Sequence, residues 1–181
     1  METARRHEVG FYSDDRRLLA DVTQFIGAAL KAGNAAIVAA TESHRNSLLP
    51  RLQTEGVHIG AAIEQGRYIA LDTADTLSMF MHAGLLASAK FLEVFGNLII
   101  TAAKTQQVEH PRVAVFGQCV NLLLAQGNAE TAIQMEKLGN QLANLYDVDI
   151  LCGYSLGSVQ GGMNSHSFQR ICAQHSAVHS R

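Results

Sequence analysis

Polar and aromatic side chains stand next to the short apolar segments of this sequence, where they could bind a ligand. Tyr12, Gln118 and Tyr154 lie at or just after the ends of such segments, and His7 precedes the first of them. These side chains can form hydrogen bonds, and an aromatic ring can also stack on a bound molecule. The segment ends lack the Lys and Arg side chains that would hold a triphosphate. This composition favours the binding of a small, largely apolar molecule over a nucleotide.

A second polar group lies on one predicted helix. Glu136 and Asn140 are four residues apart, so they share a helix face and could both point into a pocket. The alternatives are a solvated helix face for this pair, a surface histidine at position 7 and a half-buried rim tyrosine at position 12. We predict a ligand-binding set made of His7, Phe11, Tyr12, Gln118, Glu136, Asn140, Tyr154 and His175.

Cysteine and histidine residues raise the question of a metal ion, because thiolate and imidazole are good zinc ligands. Cys172 and His175 have the spacing that lets two helical side chains meet one ion. Cys152, however, lies in a predicted buried strand, where a free cysteine is usually a small apolar residue. The remaining candidates, His166 and His179, lie in sequence that we expect to be flexible. We therefore expect no metal ion and no cofactor.

The first strand-to-helix turn argues against phosphate binding. A phosphate loop needs the pattern G-x-x-x-x-G-K-[ST], in which bare backbone N–H groups surround the phosphates. Residues 12–17 instead read YSDDRR, with two aspartates and no glycine. The sequence also lacks a G-x-G-x-x-G fingerprint and a G-x-S-x-G nucleophile elbow. We expect no enzyme, although a Cys119 thiolate paired with a histidine is an arrangement that the sequence leaves open.

Short apolar segments alternate with amphipathic segments, and these elements must position the polar residues. The patterns predict strands over 8–12, 35–40, 67–71, 112–116 and 149–154. They predict helices over 15–31, 42–55, 73–81, 86–104, 120–125, 129–145 and 165–177. This alternation is typical of an α/β three-layer sandwich, in which a mainly parallel sheet of about five strands carries helices on both faces. In such folds ligands bind beyond the carboxyl ends of the strands.

Length and composition indicate one globular domain. The 181 residues are 48% hydrophobic and 17% charged, and the formal net charge is −2. We divide the chain into a core over 1–156 and a linker with a C-terminal helix over 157–181. A weakly acidic chain offers no basic surface for nucleic acid. We also expect no membrane contact and a cytoplasmic location, because we find neither a signal peptide nor a long apolar stretch.

Seven short motifs follow one another along nearly the whole chain. They occupy 7–12, 25–33, 66–72, 116–118, 135–140, 151–154 and 168–176. Each motif is weak alone, but the ordered set resembles the MEDS domain, the methanogen/methylotroph DcmR-type sensory domain. Two positions depart from that family: Gln118 stands where a glutamate is usual, and no tryptophan lies near Gly139. The missing carboxylate removes a potential general base or cation ligand.

The resemblance implies a RecA/KaiC-like core whose phosphate loop has degenerated, and a sensory role. Members of this family are joined to histidine kinases or helix-turn-helix regulators and are proposed to sense small hydrocarbon derivatives. We therefore expect a non-catalytic sensory module that binds a small, largely apolar molecule. Binding would shift the segment after Gly157, which would relay the signal to a histidine kinase or transcription-regulator partner.

Two other functions fit parts of the pattern. One is a protein-interaction module without a small ligand, and the other is a divergent RecA-like nucleotide binder. A homodimer would account for the predicted helix over 86–104, which is apolar around much of its circumference. A central, buried helix would account for it equally well.

Overall fold

A parallel sheet forms the centre of the protein. The computed structural model describes residues 6–106, 108–157, 159 and 163–181. The strands in chain order are β1 (Arg6–Tyr12), β2 (Ala35–Ala40), β3 (Tyr68–Asp72), β4 (Met81–His82), β5 (Leu85–Leu86), β6 (Val113–Gly117), β7 (Val148–Ser155) and β8 (Ala177–Ser180). Six of them form one sheet in the order β3-β2-β6-β7-β1-β8, and every neighbouring pair is parallel. The other two form a small antiparallel hairpin.

Helices cover both faces of this sheet. They are α1 (Asp15–Lys31), α2 (Glu42–Thr54), α3 (Ile59–Glu64), α4 (Thr73–Phe80), α5 (Ser88–Lys104), α6 (Cys119–Ala125), α7 (Ala129–Leu145) and α8 (Ser165–Cys172). Helices α1 to α3 pack on one face and α4 to α8 on the other, each group with its own apolar core. The predicted three-layer α/β sandwich is confirmed, with six strands in its sheet. None of the described helices has both the length and the apolar character needed to cross a membrane.

The sequence explains the best-defined elements directly. Asp14 caps α1 by accepting a hydrogen bond from the backbone N–H of Arg17 at 2.9 Å. Leu18, Val22 and Ile26 recur at helical spacing in α1 and are buried against the sheet. All six residues of β2 are buried, because this strand is covered on both faces. The predicted bounds of α1, β2 and α7 are confirmed, and most other predicted bounds are correct to within one or two residues.

The prediction at the carboxyl end was wrong in part. Helix α8 ends at Cys172, so the helix predicted over 165–177 is too long. The chain then forms β8, which lies parallel to β1 with Glu8 opposite Ala177. The backbone N–H of Ser176 donates to the carbonyl oxygen of His7 at 2.7 Å, which starts this pairing. Positions 158 and 160–162 of the predicted linker lie outside the described residues.

Other short elements were missed. Helix α3 and the β4–β5 hairpin were not predicted, and α5 begins two residues later than expected because Leu85–Leu86 belongs to β5. Ala83 and Gly84 form the hairpin turn with φ values of 50° and 77°. Two-residue strands are too short to produce an alternating pattern, so the sequence gives no signal for them.

Gly10 provides a test of packing on the α1 face of the sheet. A Cβ atom at position 10 would lie 2.3 Å from the hydroxyl oxygen and 2.5 Å from Cζ of Tyr12, whose ring is fully buried. We expect Gly10→Ala to lower the free energy of unfolding by about 1–3 kcal/mol, because the buried ring must move. Urea unfolding followed by circular dichroism measures this change.

Gly60→Ala is the matched control for that substitution. Position 60 lies in α3, and a Cβ atom there meets nothing within 4 Å. Alanine is the better helix former, so stability should stay unchanged or rise by about 0.5–1 kcal/mol. Equal destabilisation by both substitutions would contradict the packing assigned to Tyr12.

Candidate functional site

Neighbouring strands bring polar side chains to the sheet face that α7 covers. β1 and β7 are adjacent and parallel, with His7 opposite Ile150 and Val9 opposite Cys152. Side chains alternate along a strand, so His7, Cys152 and Tyr154 project from the same face. Helix α7 crosses this face, and the polar residues Glu136 and Asn140 face the strands from it.

The carboxylate of Glu136 is the centre of this group. Its side chain is 1% exposed, and its Oε1 accepts a hydrogen bond from the Tyr154 hydroxyl at 2.5 Å. Its Oε2 lies 3.2 Å from Sγ of Cys152, 3.0 Å from Nε2 of His175 and 3.3 Å from Nε2 of His7. Burying a carboxylate is costly unless donors and charges compensate it, and here four side chains supply them. We call Glu136, His7, Cys152, Tyr154 and His175 the Glu136 cluster.

A hydrogen bond at Nδ1 fixes the orientation of each imidazole ring. Nδ1 of His7 lies 2.9 Å from Oδ1 of Asn140 and 3.2 Å from the carbonyl oxygen of Gln174. Nδ1 of His175 lies 2.7 Å from the carbonyl oxygen of Ile171. A carbonyl oxygen only accepts, so each Nδ1 carries a hydrogen and donates it. Each Nε2 is therefore turned toward the carboxylate, and the two rings are 4.2 Å apart between centroids.

Burial, hydrogen bonds and charges within the cluster shift the pKa values of its members. Burial alone would raise the pKa of Glu136, but the hydrogen bonds and charges of His175 and His7 lower it overall. Burial alone would lower the pKa of His7, but the contact with Glu136 raises it overall. Burial, together with the nearby carboxylate, raises the pKa of the Cys152 thiol and the Tyr154 hydroxyl well above their usual values. At neutral pH the cluster thus combines an ionised carboxylate with neutral thiol and phenol donors.

A small cavity adjoins the cluster between the sheet and helices α5, α6 and α7. Its volume is about 60 Å³, which admits a molecule of only a few non-hydrogen atoms. Most of its lining is apolar, and one wall is formed by His7, Glu136 and Cys152. Gly139 also lines it, and a Cβ atom there would lie 2.9 Å from Nε2 of His7. Glycine at this position therefore allows α7 to approach the imidazole closely.

The structure brings together most of the predicted site. Phe11 adjoins the cluster, because its ring lies 5.2 Å from the ring of Tyr154 and 4.8 Å from that of Phe168. The five predicted residues within or directly bonded to the cluster are His7, Glu136, Asn140, Tyr154 and His175.

Two predicted residues lie elsewhere. Tyr12 is buried on the opposite sheet face, where burial and the charge of Asp21 raise its pKa. Gln118 lies at the carboxyl end of β6, with its Oε1 2.9 Å from Nδ1 of His44 and 3.4 Å from the backbone nitrogen of Thr41. The polar group beyond the strand ends is thus separate from the Glu136 cluster, which lies on the face of the sheet.

Two members of the site were missing from the predicted set. Cys152 was assigned to the apolar core, although its spacing of two from Tyr154 places both on one strand face. That spacing, together with the Glu136–Asn140 pair, is the sequence signal from which Cys152 could have been predicted. Gln174 contributes its backbone carbonyl to His7 and its side-chain oxygen to Asn140 at 3.2 Å. A backbone contact of this kind leaves no signal in the sequence.

Comparison with known families identifies a sensory domain. The family model described as MEDS, MEthanogen/methylotroph, DcmR Sensory domain, matches residues 6–169. The matched range includes His7, Glu136 and Cys152 and ends before His175. A search of curated proteins finds none that matches the chain.

Removing the central carboxylate should destabilise the protein strongly. We expect Glu136→Ala to lower the free energy of unfolding by about 3–5 kcal/mol, because it leaves buried donors and imidazole charge without a partner. Urea or thermal unfolding measures the loss. Glu130→Ala is the matched control on the same helix, since Glu130 is exposed and pairs with Arg170 at the surface. It should change stability little. Similar losses of unfolding free energy for both variants would show that the buried Glu136 cluster contributes no more to stability than a surface ion pair.

Proposed function

The chain belongs to the MEDS family, a family of sensory domains, and we propose that it is a non-catalytic sensory module for a small, largely apolar molecule. The molecule would occupy the cavity beside the Glu136 cluster, and residues 174–181 would report its presence. The observation that carries this proposal is that one cavity wall, formed by His7 and Glu136, is bonded directly to residues 174–176.

The shape and chemistry of the cavity support a ligand of this class. Apolar side chains such as Phe91, Phe95 and Leu142 would surround a hydrocarbon body. A single polar substituent on that body could reach the carboxylate or the imidazole at the polar wall. A pocket with apolar lining and few polar groups selects by size and by the position of that substituent. Small hydrocarbon derivatives, which the family resemblance implies, fit this description.

The first strand-to-helix turn supports the view that no phosphate is bound there. The backbone N–H of Arg17 at the start of α1 donates to the Asp14 side chain, and that of Ser13 donates to the carbonyl oxygen of Arg181 at 2.8 Å. A phosphate would have to displace both acceptors and approach two aspartates. The all-parallel sheet and this glycine-free turn are consistent with a RecA/KaiC-like core whose phosphate loop has degenerated.

Residues 174–181, which we call the C-terminal segment, supply the proposed route of the signal. Its Gln174 carbonyl and His175 ring contact the cluster, and Ser176 bonds to His7 through both its backbone and its hydroxyl. A ligand that moves Glu136 or His7 would therefore change how well this segment is held against β1. A coupling of about 1–3 kcal/mol is enough to alter a partner's response. The partner would be a histidine kinase or a transcription regulator.

Ligand binding is tested with short-chain haloalkanes, alcohols and aldehydes, using thermal shift and calorimetry. Gly117→Val should weaken the binding of any active compound by about tenfold or more. Position 117 lines the cavity and has open space at its Cβ, so the valine side chain would occupy part of the ligand's volume. Gly60→Ala, which lies away from the cavity, should bind as the unchanged protein does. The sensing proposal fails if no compound binds, or if both variants bind alike. Micromolar binding of ATP with Mg²⁺ would support the divergent nucleotide binder instead.

The relay is tested by hydrogen exchange with the compound that gives the largest thermal shift. Exchange of the backbone amides in 174–181 should change by about fivefold or more on binding, because the segment is bonded to the cavity wall. Amides of β3, at the far edge of the sheet and outside the cavity lining, serve as the internal reference and should not change. Binding that leaves the C-terminal segment unaffected would refute the relay while leaving the ligand site intact.

A further inference from the structure

We propose that His7, Glu136, Cys152 and His175 form a binding site for a single divalent cation of the zinc class. These residues belong to β1, α7, β7 and the C-terminal segment. Their potential ligand atoms all lie within 4.8 Å of one another. This inference goes beyond the sensing role and does not depend on it, since the site requires no organic ligand. It replaces the expectation from sequence that no metal is bound.

Four of the separations between the ligand atoms are close to those of a tetrahedral site, and the others are no more than 4.8 Å. Oε2 of Glu136 lies 3.0 and 3.3 Å from the two Nε2 atoms and 3.2 Å from Sγ of Cys152. Nε2 of His7 lies 3.4 Å from the same Sγ. Zinc bonds of ordinary length to nitrogen, oxygen and sulfur place tetrahedral ligand atoms about 3.3–3.6 Å apart. Only small outward movements of the side chains would therefore be needed to admit the ion.

The surroundings of the ligands are those that metal sites require. A histidine that binds a metal usually donates its other ring N–H to a carbonyl or carboxylate, which fixes the ring. His7 does so to Asn140 and the Gln174 carbonyl, and His175 does so to the Ile171 carbonyl. The second carboxylate oxygen of Glu136 accepts from the Tyr154 hydroxyl, leaving Oε2 directed at the centre of the group.

A cation would also resolve the competition for one oxygen atom. Without it, two imidazole nitrogens and a thiol converge on Oε2 of Glu136, while Oε1 accepts only from Tyr154 among the bonds described here. With it, each of these atoms would contribute a lone pair to the ion instead of contending for the same acceptor. Four ligands from the protein are typical of a structural or regulatory zinc site.

The charges balance when the ion is divalent. A carboxylate and a thiolate supply two negative charges, and two neutral imidazoles supply none, so the complex is neutral overall. Neutrality matters because the site is buried, and an uncompensated charge there is costly. Binding breaks the S–H bond of Cys152 and forms a metal–sulfur bond, and the thiol proton leaves to solvent with any proton held on the two Nε2 atoms, while each Nδ1 keeps its hydrogen. A site of nitrogen and sulfur ligands in this geometry favours Zn²⁺ over Mg²⁺ or Ca²⁺.

Cobalt titration of the full chain tests the site. The protein should carry no histidine tag and should first be dialysed against a chelator. Tetrahedral Co²⁺ with a thiolate ligand gives strong visible d–d bands and a sulfur-to-metal charge-transfer band in the near ultraviolet. We expect both to saturate at one equivalent and to disappear when Zn²⁺ is added. Zn²⁺ alone should also raise the melting temperature, because the ion binds only the folded state.

Matched cysteine variants locate the ion. Cys152→Ser should abolish the charge-transfer band, whereas Cys172→Ser should retain it, because Cys172 lies outside the four ligands. If Cys152→Ser does not fold, His175→Gln in the C-terminal segment provides the second variant and should weaken binding at least tenfold. The proposal is overturned if the unchanged protein shows no cobalt bands, if bands appear without a thiolate contribution, or if Cys172→Ser loses them while Cys152→Ser keeps them. None of these results depends on the haloalkane, alcohol and aldehyde panel, so failure of the sensing proposal is distinguishable from failure of the metal site.

Discussion

The buried carboxylate of Glu136 imposes the strictest requirement on this structure. A carboxylate removed from water must find donors or positive charge, and a helix alone cannot supply them to its own inward face. Here the donors come from β1, β7 and the C-terminal segment, and β1 is distant in sequence from the other two. The fold must therefore bring three other parts of the chain to one point on α7. Misplacing any of them leaves a polar group buried without its partner.

The parallel sheet meets this requirement through its strand order. Because β7 and β1 are neighbours, one imidazole, one thiol and one phenol emerge side by side on the face beneath α7. Gly139 then lets the helix come close enough for Glu136 and Asn140 to reach them. β8 extends the sheet beyond β1 and fixes the segment that carries His175. The sheet therefore does more than support the site, since its order decides which side chains meet.

The sequence predicted the elements that local patterns determine. Helix α1 has a capping aspartate and an apolar stripe, and β2 has six small or apolar residues in succession, so both bounds were correct. β8 was missed because four edge residues are stabilised by pairing with β1, which lies about the whole chain length away. Cys152 was assigned to the apolar core for a similar reason. Its own strand is apolar, and the carboxylate that defines its role lies on a different element.

Electrostatic cost distinguishes the Glu136 cluster from the polar group at the strand ends. The rule for open α/β sheets pointed to the strand ends, and polar residues are indeed found there. Gln118, His44 and Thr41 bond to one another at that edge, where Gln118 is buried and Thr41 is exposed. The Glu136 cluster lies under a helix and surrounds a buried carboxylate, so the loss of one of its hydrogen bonds is more costly. The ligand or the ion that we propose would alter interactions on which the fold depends. It would act on the C-terminal segment because that segment contributes His175 to the cluster and β8 to the sheet.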